Sequence, residues 1–196
     1  MLALLDTTVL TLLLKPTVQP PNDPSTGAPV ARAADRIKHL IDGFAAQHTR
    51  ILIPATAWAE FLVAADETAQ EYLAAIKGMA NFEIVPFDSI AAVEAALDQR
   101  KASLSGSRKE FSGSRQCLKA DRQIMGIAKT RAVDMVYASD SDFAKIGHSM
   151  KVAVTLLWEL PLPPSNMPLF EAEATDASPS TASPPPSGQS PDDEKV

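Results

Sequence analysis

With 196 residues, 45% of them hydrophobic and 21% charged, the chain can bury one good core and has the composition of an ordinary globular domain. Its single cysteine, Cys117, excludes an internal disulfide and a thiolate metal centre, and fits a reducing cytoplasm with an inert, structural thiol. The net charge of −6 misleads if taken whole: residues 161–196 carry six acids and one lysine, so the remainder is close to neutral.

The N-terminal run MLALLDTTVLTLLLK is apolar, yet it lacks a positive start and Asp6 interrupts it. No stretch reaches the roughly 18 uninterrupted apolar residues of a membrane helix, so a soluble, cytoplasmic protein without a membrane partner is expected. Within that run, residues 2–5 read as a strand and TTVLTLLLK as a helix. Residues 16–29, PTVQPPNDPSTGAP, read as an inserted surface loop. Helical periodicity then covers 31–47, a β-rich run at 51–53 stops at Pro54, and 55–80 is strongly helical in two pieces. Residues 82–87 read as a strand in which Pro86 marks the end or an edge. Two helices follow, at 90–104 and 118–132, separated by a flexible basic loop at 103–114 in which SGSR occurs twice. Residues 135–138 read as a buried strand, 142–146 as a short helix and 152–158 as the last strand. Continuous apolar strands alternating with helices predict an α/β fold with a parallel sheet covered on both faces. From Pro161 onward nine of the sixteen prolines sit among Ser, Thr, Ala and acids, which predicts a disordered tail over 161–196 behind a folded domain at 1–160.

Residues 100–131 hold nine basic side chains: Arg100, Lys101, Arg108, Lys109, Arg115, Lys119, Arg122, Lys129 and Arg131. Only Glu110 and Asp121 oppose them within that window, and such a local excess can attract a polyanion on an otherwise acidic protein. Charge alone leaves a solvated helix face with a mobile loop as an equal reading.

The acids are more telling. In an open parallel sheet the functional crevice lies beyond the carboxyl ends of the strands, at the switch in strand order. Asp6 follows the first predicted strand; Asp140 follows MVYAS, with Asp142 two residues later. Glu60 comes just after ILIP, and Asp121 opens LKADRQIMGIAK. Singly, Asp6, Asp140 or Asp142 could cap a helix. Asp121, however, shares a helical face with Ile124 and Ala128, and Glu60 sits on a stripe with Ala57 and Ala64, where a carboxylate calls for a cation or metal. Converging carboxylates without His or Cys make an oxygen-rich site suited to Mg²⁺ or Mn²⁺, ions that can activate water and neutralise a departing oxygen.

These stretches resemble PIN-domain ribonucleases, above all the VapC-like toxins of bacterial toxin–antitoxin pairs. The resemblance is carried by LLDTTVL at 4–10, IPATAWAEFLV at 53–63, KADRQIMGIAK at 119–129 and VYASDSDFAKIG at 136–147, and covers residues 2–158 in the family's order. It implies a three-layer α/β/α fold around a short parallel sheet. It also implies that Asp6, Glu60, Asp121 and Asp140 form the catalytic, metal-binding set, with Asp142 a further metal-binding acid and Thr8 a small polar residue beside the first. RNA as substrate, an antitoxin protein and a second copy of the chain are the implied partners. Thr8, Arg108, Lys109, Arg115 and Lys119 are the candidates for binding the substrate, the four cations by holding the RNA backbone. The family's Thr two residues before the fourth acid is Ala138 here, with Ser139 next to it, so a hydroxyl contact is lost or moved.

Other chemistries fit less well. A haloacid-dehalogenase-like phosphatase needs a second Asp two residues after the first, where Thr8 stands, and a receiver domain needs an acid on its middle strand, where ILIP has none. His39, His48 and His148 read as surface residues, and Trp58 and Trp158 as core or interface residues. A non-catalytic PIN-like binding module and a structure-specific DNA nuclease of the same architecture stay open at this stage.

Overall fold

The computed structural model describes residues 1–65, 69–106 and 111–164; the loop residues Arg108 and Lys109, and the expected tail from residue 165 on, lie outside the described residues. Five short strands, β1 (Leu2–Leu5), β2 (Arg50–Pro54), β3 (Phe82–Val85), β4 (Met135–Ala138) and β5 (Val154–Leu156), pair in parallel in the order β3-β2-β1-β4-β5. Among the described residues seven helices lie between them: α1 (Thr7–Leu14), α2 (Ala33–Ala46), α3 (Ala55–Val63), α4 (Ala69–Gly78), α5 (Ser89–Ser105), α6 (Arg115–Thr130) and α7 (Ser141–Met150).

The three layers follow from the two-residue period of the strands. Leu4, Leu52, Val136 and Ala138 face a core built with α5, α6 and α7, through Ala91, Ile124, Ile127 and Ile146. Their neighbours Ala3, Leu5, Ile51 and Tyr137 face the other side, against Val9, Leu12, Ile37 and Phe44 of α1 and α2. Leu10, Ile53, Trp58, Phe61 and Ile76 extend that second layer over α3 and α4. A strand buried on both faces reads as a continuous apolar run, which is why LALL and ILIP stand out in the sequence.

Several boundaries differ from expectation. The last strand is only Val154–Leu156, because the chain turns into a 3₁₀ turn at Leu157–Glu159, where the Glu159 carboxylate accepts the Leu156 N–H at 2.8 Å. Helix α6 begins three residues earlier than the periodicity suggested: Ser114 Oγ accepts the Cys117 N–H at 3.2 Å and caps it. Helix α7 runs on to Met150, since Ile146, Gly147 and Met150 remain buried. The proline-rich segment is a surface loop, folded back by an Asn22–Pro29 bridge and an Asp23 turn that accepts both the N–H and the hydroxyl of Ser25. Buried Val30 pins its end to the core. β3 stops at Val85, one residue before Pro86.

Helices α5 and α6 approach at small residues. A Cβ built on Gly126 would sit 2.5 Å from the carbonyl oxygen of Ala91 and 3.4 Å from Ala95 Cβ. Gly126→Ala would gain up to about 1 kcal/mol in helix propensity. The clash is with backbone, however, and overpacking of this kind costs typically ~1–3 kcal/mol, so the clash wins. Gly126→Ala is therefore expected to lower the urea midpoint; an unchanged or raised midpoint would show that the two helices can slide apart freely.

Candidate metal-binding acidic site

The strand order reverses between β1 and β4, so the carboxyl ends of these two strands meet at the switch point. Asp6 leaves β1 there, its N–H still donating to Tyr137 of β4 at 3.0 Å. Its side chain serves two ends. Oδ1 accepts the Val9 N–H at 2.6 Å, capping α1, and Oδ2 accepts the Ser139 N–H at 3.0 Å and, more weakly, the Ser139 hydroxyl at 3.4 Å. Capping and membership of the acidic set are thus the same carboxylate doing both. Burial pushes the Asp6 pKa up, the Val9 and Ser139 hydrogen bonds pull against it, the charge of Asp140 adds to the rise, and the result is about 6.

Asp140 sits at the end of β4 and caps α7, accepting the Asp142 N–H at 2.9 Å. Glu60 projects from α3 and accepts the Thr7 hydroxyl at 2.6 Å. It is exposed, not turned to the core as its spacing from Ala57 and Ala64 suggested, because α3 buries Trp58 and Phe61 and leaves Glu60 at the rim. Asp121 lies half-buried on α6. Burial raises its pKa first, and the negative charges of Asp140, Asp6, Glu60 and Asp142 raise it further, up to about 7. Four acids from three separate places in the chain therefore act on Asp121 at once.

Asp142 behaves differently. It is fully buried, and its lone pairs are taken: Oδ2 accepts the Ser112 N–H at 3.0 Å, the Gly113 N–H at 2.9 Å and the Ser112 hydroxyl at 3.2 Å, while Oδ1 faces Lys145 Nζ at 2.7 Å. Burial alone would raise its pKa, but the hydrogen bonds from Lys145, Gly113 and Ser112 outweigh it and hold the carboxylate below its usual range. Expected as a further metal-binding acid, Asp142 here has its oxygens engaged by Ser112, Gly113 and Lys145, and it braces the segment that starts α6. Phe111 in the same segment lies under two cations, Arg122 at 5.3 Å and Lys145 at 5.5 Å from the ring centroid.

The hydroxyl that reaches Glu60 is that of Thr7, one residue before Thr8, because α1 turns position 7 toward α3. Ser139 restores the hydroxyl contact that Ala138 cannot make. A groove of about 720 Å³ runs beside Glu60 and is lined by Ser114, Arg115, Cys117, Lys119 and Gln123. Arg115 and Lys119 thus share this groove with Glu60.

The basic excess is smaller than the linear count. Asp98 pairs with buried Arg122 at 2.9 Å, Glu94 with Lys129 at 2.6 Å and Asp88 with Arg131 at 3.2 Å. All three acids precede residue 100, so a window opening there misses them. His48 and His148 are exposed as expected, and Trp58 stacks on Phe61 at 5.4 Å inside the core.

Whether this set suits a metal turns on its chemistry and its charge. The donors are all carboxylate oxygens, and two of them are held against their preference for ionisation, which a divalent cation would relieve. Among the described residues, however, no three candidate ligands are closed around a common point, so a cation would have to draw the exposed Glu60 and half-buried Asp121 inward.

The fold has known counterparts. The chain superposes on VapBC2 from Rickettsia felis, bound to a DNA fragment from their promoter, with a TM-score of 0.54, 12% identity, and coverage of 80% of this chain and 98% of that one. FitAcB from Neisseria gonorrhoeae gives 0.53, with 22% identity and coverage of 81% and 99%. DNA-bound VapBC from Salmonella typhimurium gives 0.53, with 16% identity and coverage of 80% and 99%. The chain therefore has the α/β fold of VapC-like PIN domains, as its motifs implied. No protein-family profile matches the chain, and no curated protein does.

The raised acids make a pH prediction. Asp6 and Asp121 both have folded-state pKa values above the ordinary 3.8, so between that value and about 7 the folded chain binds protons that the unfolded chain does not. Their contribution to stability is complete at the acid end and is lost as pH rises through the folded values. Without added metal, the melting temperature should be higher near about pH 5.5 than near about pH 8. Asp121→Asn should raise the pH 8 value and flatten the profile. A melting temperature that rises with pH over this interval would show that the acids do not repel one another in the folded chain.

Proposed function

We propose that the chain is a divalent-metal-dependent endoribonuclease that hydrolyses RNA phosphodiesters in the cytoplasm. The observation that carries this reading is the crowding of Asp6, Glu60 and Asp140 on Asp121 at the sheet's switch point, with Arg115 and Lys119 in the groove that Glu60 also lines. Asp6, Glu60, Asp121 and Asp140 would hold Mg²⁺ or Mn²⁺, which when bound supplies an activated water and neutralises the charge on the departing oxygen. The protein's own share is positional. Asp6 and Asp140 are fixed by the helix ends they cap, and Thr7 orients Glu60. Arg115 and Lys119, with Arg108 and Lys109 from the neighbouring loop, would seat the RNA backbone through its phosphates.

The VapBC and FitAcB structures that share this fold support a toxin's role for this chain and an antitoxin protein as its partner. A structure-specific DNA nuclease, or a binding module without catalysis, would share the fold and differ in the assay below.

Incubation of the purified chain with single-stranded RNA should give cleavage with Mg²⁺ or Mn²⁺ and none with EDTA. Asp6→Asn keeps the size of the side chain and one capping oxygen, replaces the oxygen that accepts the Ser139 N–H, and should reduce cleavage by about 100-fold or more while circular dichroism shows the chain still folded. Cleavage that persists in EDTA would refute the metal mechanism, and cleavage of duplex DNA alone would move the reading to a DNA nuclease. Replacing Arg115 and Lys119 together with Ala should lower the slope of log affinity for RNA against log salt by about 1 to 2. An equal slope would mean that these cations do not touch phosphate.

A further inference from the structure

Helices α5 and α6 run antiparallel, touching closely at Ala91 and Gly126 and pairing Asp98 with Arg122 further along. Past that pair they leave a cleft of about 280 Å³, where the short side chain of Ala102 and that of Leu118 line its walls. Arg115 and Lys119 border this cleft as well as the groove beside Glu60, so the two cations form the ridge between them. Among the described residues neither cationic side chain has a hydrogen bond or an ion pair. Lys119 lies two residues and Arg115 six residues before Asp121, a rise of about 3 Å and about 9 Å along the helix. A strand whose phosphate sits among the acids therefore passes this ridge with its next nucleotides.

The cleft suits a flat group with a polar edge better than an anion. Arg122 inside it is already neutralised by Asp98 at 2.9 Å and lies over the Phe111 ring at 5.3 Å, so it offers a fixed planar face and little net charge. Leu118 and Ala102 supply apolar surface. Gln99 and Ser103 stand one turn apart on the α5 side. The Ser103 hydroxyl donates to the Gln99 carbonyl at 2.9 Å, whereas the Gln99 side-chain amide has no partner among the described residues. An unpaired nucleobase is held by planar or apolar surfaces against which it stacks and by a side chain that meets its edge. An amide sets one acceptor beside one donor, the complement of N6–H and N7 on adenine. A phosphate on the ridge and a base in the cleft together make one nucleotide. We infer that the cleft between α5 and α6 takes the base of an unpaired nucleotide close to the scissile phosphate, and that Gln99 selects adenine there. The inference rests on the reading of RNA as the substrate and adds to it the residue that chooses where the strand is seated.

The test measures binding by the full chain in EDTA, where the metal-dependent cleavage cannot intervene. The probes are fluorescently labelled single-stranded RNA hexanucleotides of adenosine, cytidine or uridine alone, followed by anisotropy. Wild type should bind the adenosine probe about tenfold more tightly than the uridine probe, the scale of one well-matched amide–base pair. Gln99→Leu removes the hydrogen-bonding groups at similar size and should bring the two affinities to within about twofold of each other. Its slope of log affinity against log salt should stay that of wild type, because no phosphate contact is lost. Ala102→Phe, which fills the cleft, should erase the same preference. Gln99 is exposed, so its replacement leaves the core intact, and where Ala102→Phe fails to fold by circular dichroism Gln99→Leu decides alone. Equal binding of the probes by wild type, no binding, or a Gln99→Leu chain that keeps the preference or changes the salt slope would each overturn the inference. Cleavage with Mg²⁺ tests the nuclease reading separately. A chain that cuts RNA but whose base preference ignores Gln99 keeps that reading and loses this cleft, and a chain with a Gln99-dependent preference that never cuts does the reverse.

Discussion

The structure depends on holding Asp6, Glu60, Asp121 and Asp140 close enough to act on one another with, among the described residues, no salt bridge to any of the four. Ionised carboxylates in a half-buried crevice repel one another and lose hydration, so the chain must fix them by other means. It does so with backbone. Asp6 and Asp140 each sit at the carboxyl end of a central strand and each accepts an N–H from the first turn of the next helix, and Asp6 takes a further N–H from Ser139. These bonds act on only part of each carboxylate. The unbalanced remainder falls on Asp121, which is the acid whose pKa moves furthest among those given a value.

The same constraint explains the arrangement around α6. That helix brings Asp121 to the crevice, and its start must be anchored against the repulsion. Buried Asp142 does this by gathering the N–H groups of Ser112 and Gly113, while Arg122, paired with Asp98 in the interior, fixes the helix against α5. Breaking such a buried pair by removing one partner costs several kcal/mol, on the order of 3–5, far more than an exposed pair is worth. Gly126 lets the two helices meet closely enough for the pair to form. One helix thereby carries an acid under electrostatic load on one side and its own bracing on the other.

Much of this is legible in the sequence, for physical reasons. Short strands buried on both faces leave continuous apolar runs such as LALL and MVYA, and helices of this length leave a periodic stripe, so the α/β order is readable. Acids at strand ends are readable too, because parallel topology fixes which end of a strand faces the crevice. What is not readable depends on contacts between distant segments. Whether Thr7 or Thr8 reaches Glu60 depends on where α1 packs against α3. The difference between Asp140 and Asp142, two residues apart, depends on where the 111–114 segment folds back. The basic stretch looks stronger than it is because Asp88, which caps α5, and Glu94 and Asp98 within it neutralise part of it. Starts of helices set by a cap, as at Ser114, also escape a periodicity argument, since the first turn shows no apolar pattern of its own.

The central claim is that the acids of this crevice form one electrostatic unit that awaits a divalent cation. It is tested most directly by titration calorimetry with Mg²⁺, run in two buffers of different ionisation heat. Because Asp121 has a pKa of about 7, it holds a proton for much of the time in mildly acid solution, and a cation that takes its place there must expel that proton. The account predicts saturable binding, release of a large part of one proton per ion near about pH 6.5, and release that fades near about pH 8.5. Loss of the proton release in Asp121→Asn would locate it. Absence of binding, or binding with no proton release at either pH, would contradict the account.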